Sequence, residues 1–201
     1  YWRASAFPGG SPGADDSAPY NPGVVINEIL ARSTNAPGDQ IELYNSSATD
    51  VDLSGWWLSD DGGQLRKFRI PEQTIIPAGG FVIFNESEFN NPASLNPFEL
   101  DAGGEEIYLS SASAITSSFT GWSHVAAFGR TTLAASAGRV ITSDGVEHWP
   151  ELQATSPGGP NREPRVGPVV ITEINFRPAD PGFQFLEILN TGASPLPLFD
   201  P

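Results

Sequence analysis

The chain has 201 residues, 39% of them hydrophobic, enough for one well-buried domain with pieces of others and too apolar for disorder throughout. Its 24 acidic residues outnumber the 10 basic ones, and the net charge of −14 opposes nucleic-acid phosphates and anionic lipid surfaces. With no cysteine, a disulfide framework, a zinc ribbon and thiol chemistry are excluded, and no stretch reaches the roughly 20 apolar residues of a membrane-spanning helix. The 21 Gly and 19 Pro stand among many Val, Ile, Thr and aromatic residues, a mixture that favours short strands joined by specific turns. Taken in chain order, the alternation predicts strands at 24–30 (VVINEIL), 40–45 (IELYN and the Gln before it), 55–61 (GWWLSDD) and 64–70 (QLRKFRI), the last closed by Pro71. Further strands are predicted at 80–85 (GFVIFN), 105–111 (EEIYLSS), 117–129 (SSFTGWSHVAAFG) and 138–144 (GRVITSD). Turns are expected at 61–63 (DGG), 77–80 (PAGG), 102–104 (AGG) and 144–145 (DG), where glycine supplies positive φ between apolar runs. Eight such strands, with no amphipathic helix of three turns, predict an all-β sandwich.

The chain repeats itself. VVINEILARSTNAPGDQIELYN at 24–45 returns as VVITEINFRPADPGFQFLEILN at 169–190, and Glu28 and Glu42 recur as Glu173 and Glu187, each 145 positions on (28 to 173, 42 to 187). Each copy follows a Trp, a Ser-Pro-Gly and a Pro-rich stretch, in residues 2–23 and 149–168. A period of this length indicates a tandem array. Residues 1–21 are expected to end one module, 22–160 to form a complete one, 161–168 to be a Pro-rich linker and 169–201 to begin a following module. Because residue 1 is Tyr and not Met, the chain is expected to be cut from something longer.

The run of motifs VVINEI, IELYN, DLSGWWLSDD (52–61), IPEQTIIPAGGFVIF (70–84), AGGEEIYL (102–109), SAGRVITSDGVEHW (136–149) and TSPGGPN (155–161) resembles the lamin-tail domain family in a bacterial tandem form. The likeness extends along the whole central module, and no single motif carries it. It implies an immunoglobulin-like β-sandwich, a fold used in nuclear lamins and in large secreted or surface bacterial proteins. There it often neighbours kinase-like or hydrolase domains, and it is not itself known as a catalyst. The third copy ends at LPLFDP where the first reads VDLSGWW, so the comparison stops there.

Few residues invite chemistry. His124 and His148 are the only histidines, they lie in the different strands or strand ends SSFTGWSHVAAFG and VEHW, and no nucleophile elbow or zinc-binding helix accompanies either, so ordinary strand positions are the simpler reading. Glu28 and Glu42 on neighbouring strands invite a shared calcium ion or an acid–base pair. Against this, Glu42 lies opposite Ile41 and Leu43 and is expected to meet solvent, and Glu28 shares a face with Val24 and Ile26 by alternation, accepting hydrogen bonds from a loop. A structural role for the pair is the expectation. Asp60-Asp61-Gly62-Gly63 lacks the alternating carboxylates and terminal Glu of an EF-hand, and turn capping explains it better. Trp56 and Trp57 must face opposite sides of a strand; an outward one either stacks on a sugar or covers a sheet edge.

No catalytic, cofactor or metal site is assigned. The expected function is a non-catalytic spacer or adhesion module in a multidomain protein, outside the cell or on its surface. The alternative is an accessory module binding carbohydrate or another extracellular polymer beside a hydrolase or kinase-like domain. Expected partners are neighbouring modules of the same chain, with nucleic acid and membrane insertion not expected. Residues 169–201 expose apolar faces that two strands cannot bury alone, so self-association through them is a further expectation.

Overall fold

The computed structural model describes residues 12–13, 21–34, 36–178 and 182–196. The expectation for residues 1–21 therefore lies almost wholly outside the described residues. Contacts divide the chain into two compact units, Tyr1–Pro164 and Arg165–Pro201.

The first unit holds, in order, β1 (Val24–Leu30), β2 (Gln40–Asn45), β3 (Val51–Asp52), β4 (Trp57–Ser59), β5 (Phe68–Arg69), β6 (Ile75–Ile76) and β7 (Phe81–Asn85). A single helical turn, α1 (Glu86–Phe89), follows and buries Phe89. The chain continues through β8 (Glu106–Ala112), β9 (Phe119–Ala127), β10 (Ala137–Gly138), β11 (Val140–Ile141) and β12 (Glu147–His148). Two four-stranded sheets, ordered β10-β1-β2-β7 and β5-β4-β8-β9, form the layers, and all the pairings in them are antiparallel. Their inner faces share one core: Val24, Ile26, Ile29, Ile41, Leu43 and Phe84 from the first meet Leu58, Ile107, Leu109 and Ala126 from the second. The fold is an all-β sandwich, as the alternation predicts.

The predicted strands at 24–30 and 40–45 have their expected bounds, whereas those at 55–61, 64–70 and 138–144 shrink to two or three paired residues. The reason is local turn chemistry. Ser59 Oγ donates to Gln64 O at 2.8 Å and accepts Asp61 N–H at 3.0 Å, so the hairpin ends at Ser59 and the chain folds around that hydroxyl. The short ladder β3–β6 was not predicted, since pairs of residues carry no periodic signal, whereas β11 lies within the strand predicted at 138–144 and pairs with β12 across the expected turn at 144–145.

Two side chains of β9 tie the layers together. The Trp122 indole N–H donates to Val24 O at 3.2 Å, and His124 Nδ1 accepts the Ile26 N–H at 3.2 Å. Both serve the first half of β1, because β10 pairs only with Glu28 and Ile29.

Residues 161–164, assigned above to the linker, belong to the first unit. Leu152 bridges to Pro164 and Gln153 N–H donates to Glu163 O at 3.0 Å, which binds this stretch to the module.

In the second unit, β13 (Val169–Asn175) pairs with β14 (Phe185–Asn190). Its register repeats that of β1–β2 shifted by 145, including an irregularity between Ile171 and Glu173 that matches the one between Ile26 and Glu28. The turn chemistry repeats too. Asn45 donates to Thr49 O and accepts Ser47 N–H; Asn190 donates to Ser194 O and accepts Gly192 N–H, at 2.8 and 2.9 Å in both cases. Ile26, Ile29, Ile41 and Leu43 are wholly buried, whereas their counterparts Ile171, Ile174, Leu186 and Ile188 are exposed.

Candidate functional site

The site begins with a bulge. β1 carries one extra residue, Asn27, between the pairs Ile26–Leu43 and Glu28–Glu42. The extra residue reverses the alternation: Val24 and Ile26 point into the core, and so do Ile29 and Ala31. Glu28 consequently leaves the face of Val24 and Ile26, where unbroken alternation placed it, and stands directly across from Glu42 on the outer face of the sheet.

That outer face is not open to solvent. Glu42, expected to meet water, is 3% exposed, and Glu28 is 5% exposed. The segment 155–161 lies over both carboxyls and donates to them. Glu28 accepts the Ser156 hydroxyl at 2.6 Å, the Ser156 N–H at 2.9 Å and the Ser136 hydroxyl at 2.6 Å. Glu42 accepts the Gly158 N–H at 2.6 Å and the Asn27 amide at 2.8 Å. Asn161 locks the bulge itself: its Oδ1 accepts from Asn27 Nδ2 at 2.8 Å, and its Nδ2 donates to the carbonyls of Asn27 at 2.9 Å and Arg139 at 3.1 Å.

Burial outweighs the donors at Glu42 and, helped slightly by the Glu28 charge, pushes its pKa up from 4.5 to about 7. One carboxyl of the pair is therefore poised between its two states near neutrality. Acid–base chemistry would need a substrate to reach it, and the backbone of 155–158 occupies that approach. The cleft that both glutamates line, together with Leu30, Gln40, Ile83, Thr155 and Pro157, is small. The arrangement works as a clasp that holds the end of the module onto its first hairpin.

The other residues singled out in the sequence take separate places. His124 is mostly buried, which lowers its pKa; its Nε2 lies 3.0 Å from Glu147 Oε1, and Glu147 also takes Arg139 Nε at 2.6 Å. His148 is exposed, opposite Val140 in β12. Asp61 caps its turn by accepting the Gly63 N–H at 2.7 Å, as expected, while Asp60 turns instead to Lys67. Trp56 is 4% exposed and belongs to the core; Trp57 is half-buried, with an indole N–H that is enclosed and unpartnered. Glu173 and Glu187 face each other across β13–β14 as their counterparts do, both exposed. Among the described residues, no group of three or more His, Cys, Asp or Glu side chains is arranged to hold a metal ion.

Asn27, Ser136, Ser156, Gly158 and Asn161 escaped the sequence reading. A signal for the bulge was present: Asn27-Glu28 puts two polar residues in a row between Ile26 and Ile29, and Thr172-Glu173 does so again.

The paired glutamates, both four-stranded sheets and the Trp56-Trp57 pair all fall within residues 17–146, which match the family model for the lamin tail domain. The chain belongs to the lamin tail domain family. The family is one of non-catalytic immunoglobulin-like domains, and the sandwich has that class of fold. The match ends before Ser156, Gly158 and Asn161, so the half of the clasp that covers the glutamates lies beyond the matched residues of this lamin tail domain. No curated protein and no solved structure matches the chain.

Proposed function

We propose that this lamin tail domain is a non-catalytic spacer or adhesion module in a tandem array, within a multidomain bacterial protein that is secreted or held at the cell surface. The observation that supports it is the second hairpin, which repeats the first in register, bulge and turn chemistry at a constant spacing of 145 residues (Glu28 to Glu173, Glu42 to Glu187). The clasp adds to it. Each module tied at its own end leaves only a few residues of connection, a design suited to keeping neighbours in series. Neighbouring modules of the same chain are then the principal partners, and the charge of −14 disfavours nucleic acid. The buried glutamate pair serves stability in this reading.

An accessory carbohydrate-binding role rests on one observation, the half-buried ring of Trp57, whose indole N–H is enclosed and so offers a sugar no donor. A glycan array probed with the full chain and with Trp57→Ala separates the two. The spacer reading expects no saturable signal from either protein; saturable binding lost in the variant would replace it with the accessory role.

A further inference from the structure

Lys67 is the chain's only lysine. Its ammonium nitrogen lies 2.5 Å from Asp60 Oδ1, with the two side chains only 16% and 19% exposed. A charge-assisted N–H···O bond ordinarily spans about 2.7–2.9 Å, so the contact is closer than an ion pair requires. It is also misaligned, since Asp60 Oδ1 is fully enclosed and makes no hydrogen bond of acceptable geometry. The turn that presents Asp60 is fixed by Ser59 and Asp61, whose bonds to Gln64 and Gly63 leave the backbone little freedom.

A second carboxyl stands beside this contact. β4 pairs with β8 as far as Ser59–Tyr108, and β8 begins at Glu106, so Asp60 leaves the end of β4 beside the start of β8, which Glu105 precedes. Glu105 is half-buried there and close enough to feel the charges of both Asp60 and Lys67. Burial, together with the negative charges of Asp60 and Asp101, raises the Glu105 pKa against the opposing pull of the Asp101 N–H.

We propose that Lys67 and Asp60 condense to an intramolecular isopeptide bond that staples the turn between β4 and β5, with Glu105 assisting proton transfer. The ammonium passes one proton to the Asp60 carboxylate, and the freed amine attacks Cγ. A C–N bond forms, a C–O bond breaks, and the oxygen leaves as water. Ammonium plus carboxylate give amide plus water, so neither an oxidant nor a cofactor is needed. Pre-positioning replaces the activation that a free amine and acid would require.

Intact-mass spectrometry of the full chain, freshly purified and after incubation at neutral pH, tests this. The expected mass is one water, about 18 Da, below that of the sequence. Trypsin should leave the peptide containing residue 67 joined to the one containing residue 60. Lys67→Arg, which retains the ion pair and hence the fold, should show the full mass, and Glu105→Gln should close the bond more slowly. A wild-type chain at full mass after incubation would overturn the proposal. So would a deficit that persists in Lys67→Arg or disappears with hydroxylamine, because that marks a succinimide at Asp61-Gly62 or Asp144-Gly145. Glu105→Gln closing as fast as wild type would remove Glu105 from the reaction.

Discussion

Glu42 shows how one carboxyl makes the stability of the domain depend on pH. Its folded pKa of about 7 exceeds the ordinary 4.5, so the folded state holds the proton more tightly than the unfolded chain does. Stability from this group is complete below about pH 4.5 and declines as pH rises to about 7. Glu42→Gln keeps an acceptor for the Gly158 N–H without the charge. It should match wild type near pH 4.5 and exceed it at pH 8 by on the order of 2 kcal/mol in urea unfolding; parallel pH profiles for the two proteins would contradict this account. His124 works in the opposite sense. Burial lowers its pKa from 6.5, so its contribution is present above 6.5 and is lost as pH falls towards the folded value. His124→Gln should therefore flatten the acid side of the same profile and leave the neutral side alone. Asn27→Ala, which deprives Glu42 and Asn161 of a donor, should cost about 1–3 kcal/mol. In a double-mutant cycle with Asn161→Ala the two losses should fall short of additive; full additivity would mean that the residues do not act together.

Among elements, the turn before β8 and the terminal segment of the first unit matter most. Gly104 has φ +100°, and a Cβ there would stand 2.5 Å from Phe128 O, where β9 ends. Gly104→Ala therefore meets both a strained backbone and a fixed carbonyl, and should lower the thermal midpoint by a margin equivalent to about 2–3 kcal/mol. The segment 154–164 presents the reverse case, a stretch without regular strands that nonetheless supplies donors to two buried carboxyls. A chain ending at Gln153 leaves Glu28 with Ser136 and Glu42 with Asn27 as their side-chain donors. The expected loss is on the order of 3 kcal/mol, smaller at pH 8 than at pH 5, because truncation also uncovers Glu42 and so relieves the cost of burying its charge. Equal loss at both values would show that the segment stabilises by packing alone.

For the molecule as a whole, the two units differ in what they bury. The first encloses its core between two sheets, while the second is a single hairpin whose apolar side chains remain outside. A chain ending at Pro164 should unfold with the same midpoint as the first unit of the full chain. It should also stay monomeric at concentrations where the full chain associates in sedimentation. Ile171→Asp with Ile188→Asp should reproduce that behaviour within the full chain, because charge on both strands abolishes the apolar face. If the doubly substituted chain associates as before, another surface is responsible.

The sequence by itself determined the strands at 24–30 and 40–45, the sandwich class and the repeat of 145 residues. These follow from side-chain alternation and from spacing, which are properties of neighbouring residues along the chain. The fate of Glu42 was not determined that way. Alternation assigns it to the outer face, where it does lie, but whether that face meets water depends on Gly158, 116 positions away, just as the cover over Glu28 comes from Ser156, 128 positions away. The meeting of Lys67 with Asp60 and Glu105 likewise appears only when β4 pairs with both β5 and β8. Periodicity reports which side of a strand a residue takes, and only the tertiary structure decides what covers that side, because the covering atoms come from distant parts of the chain.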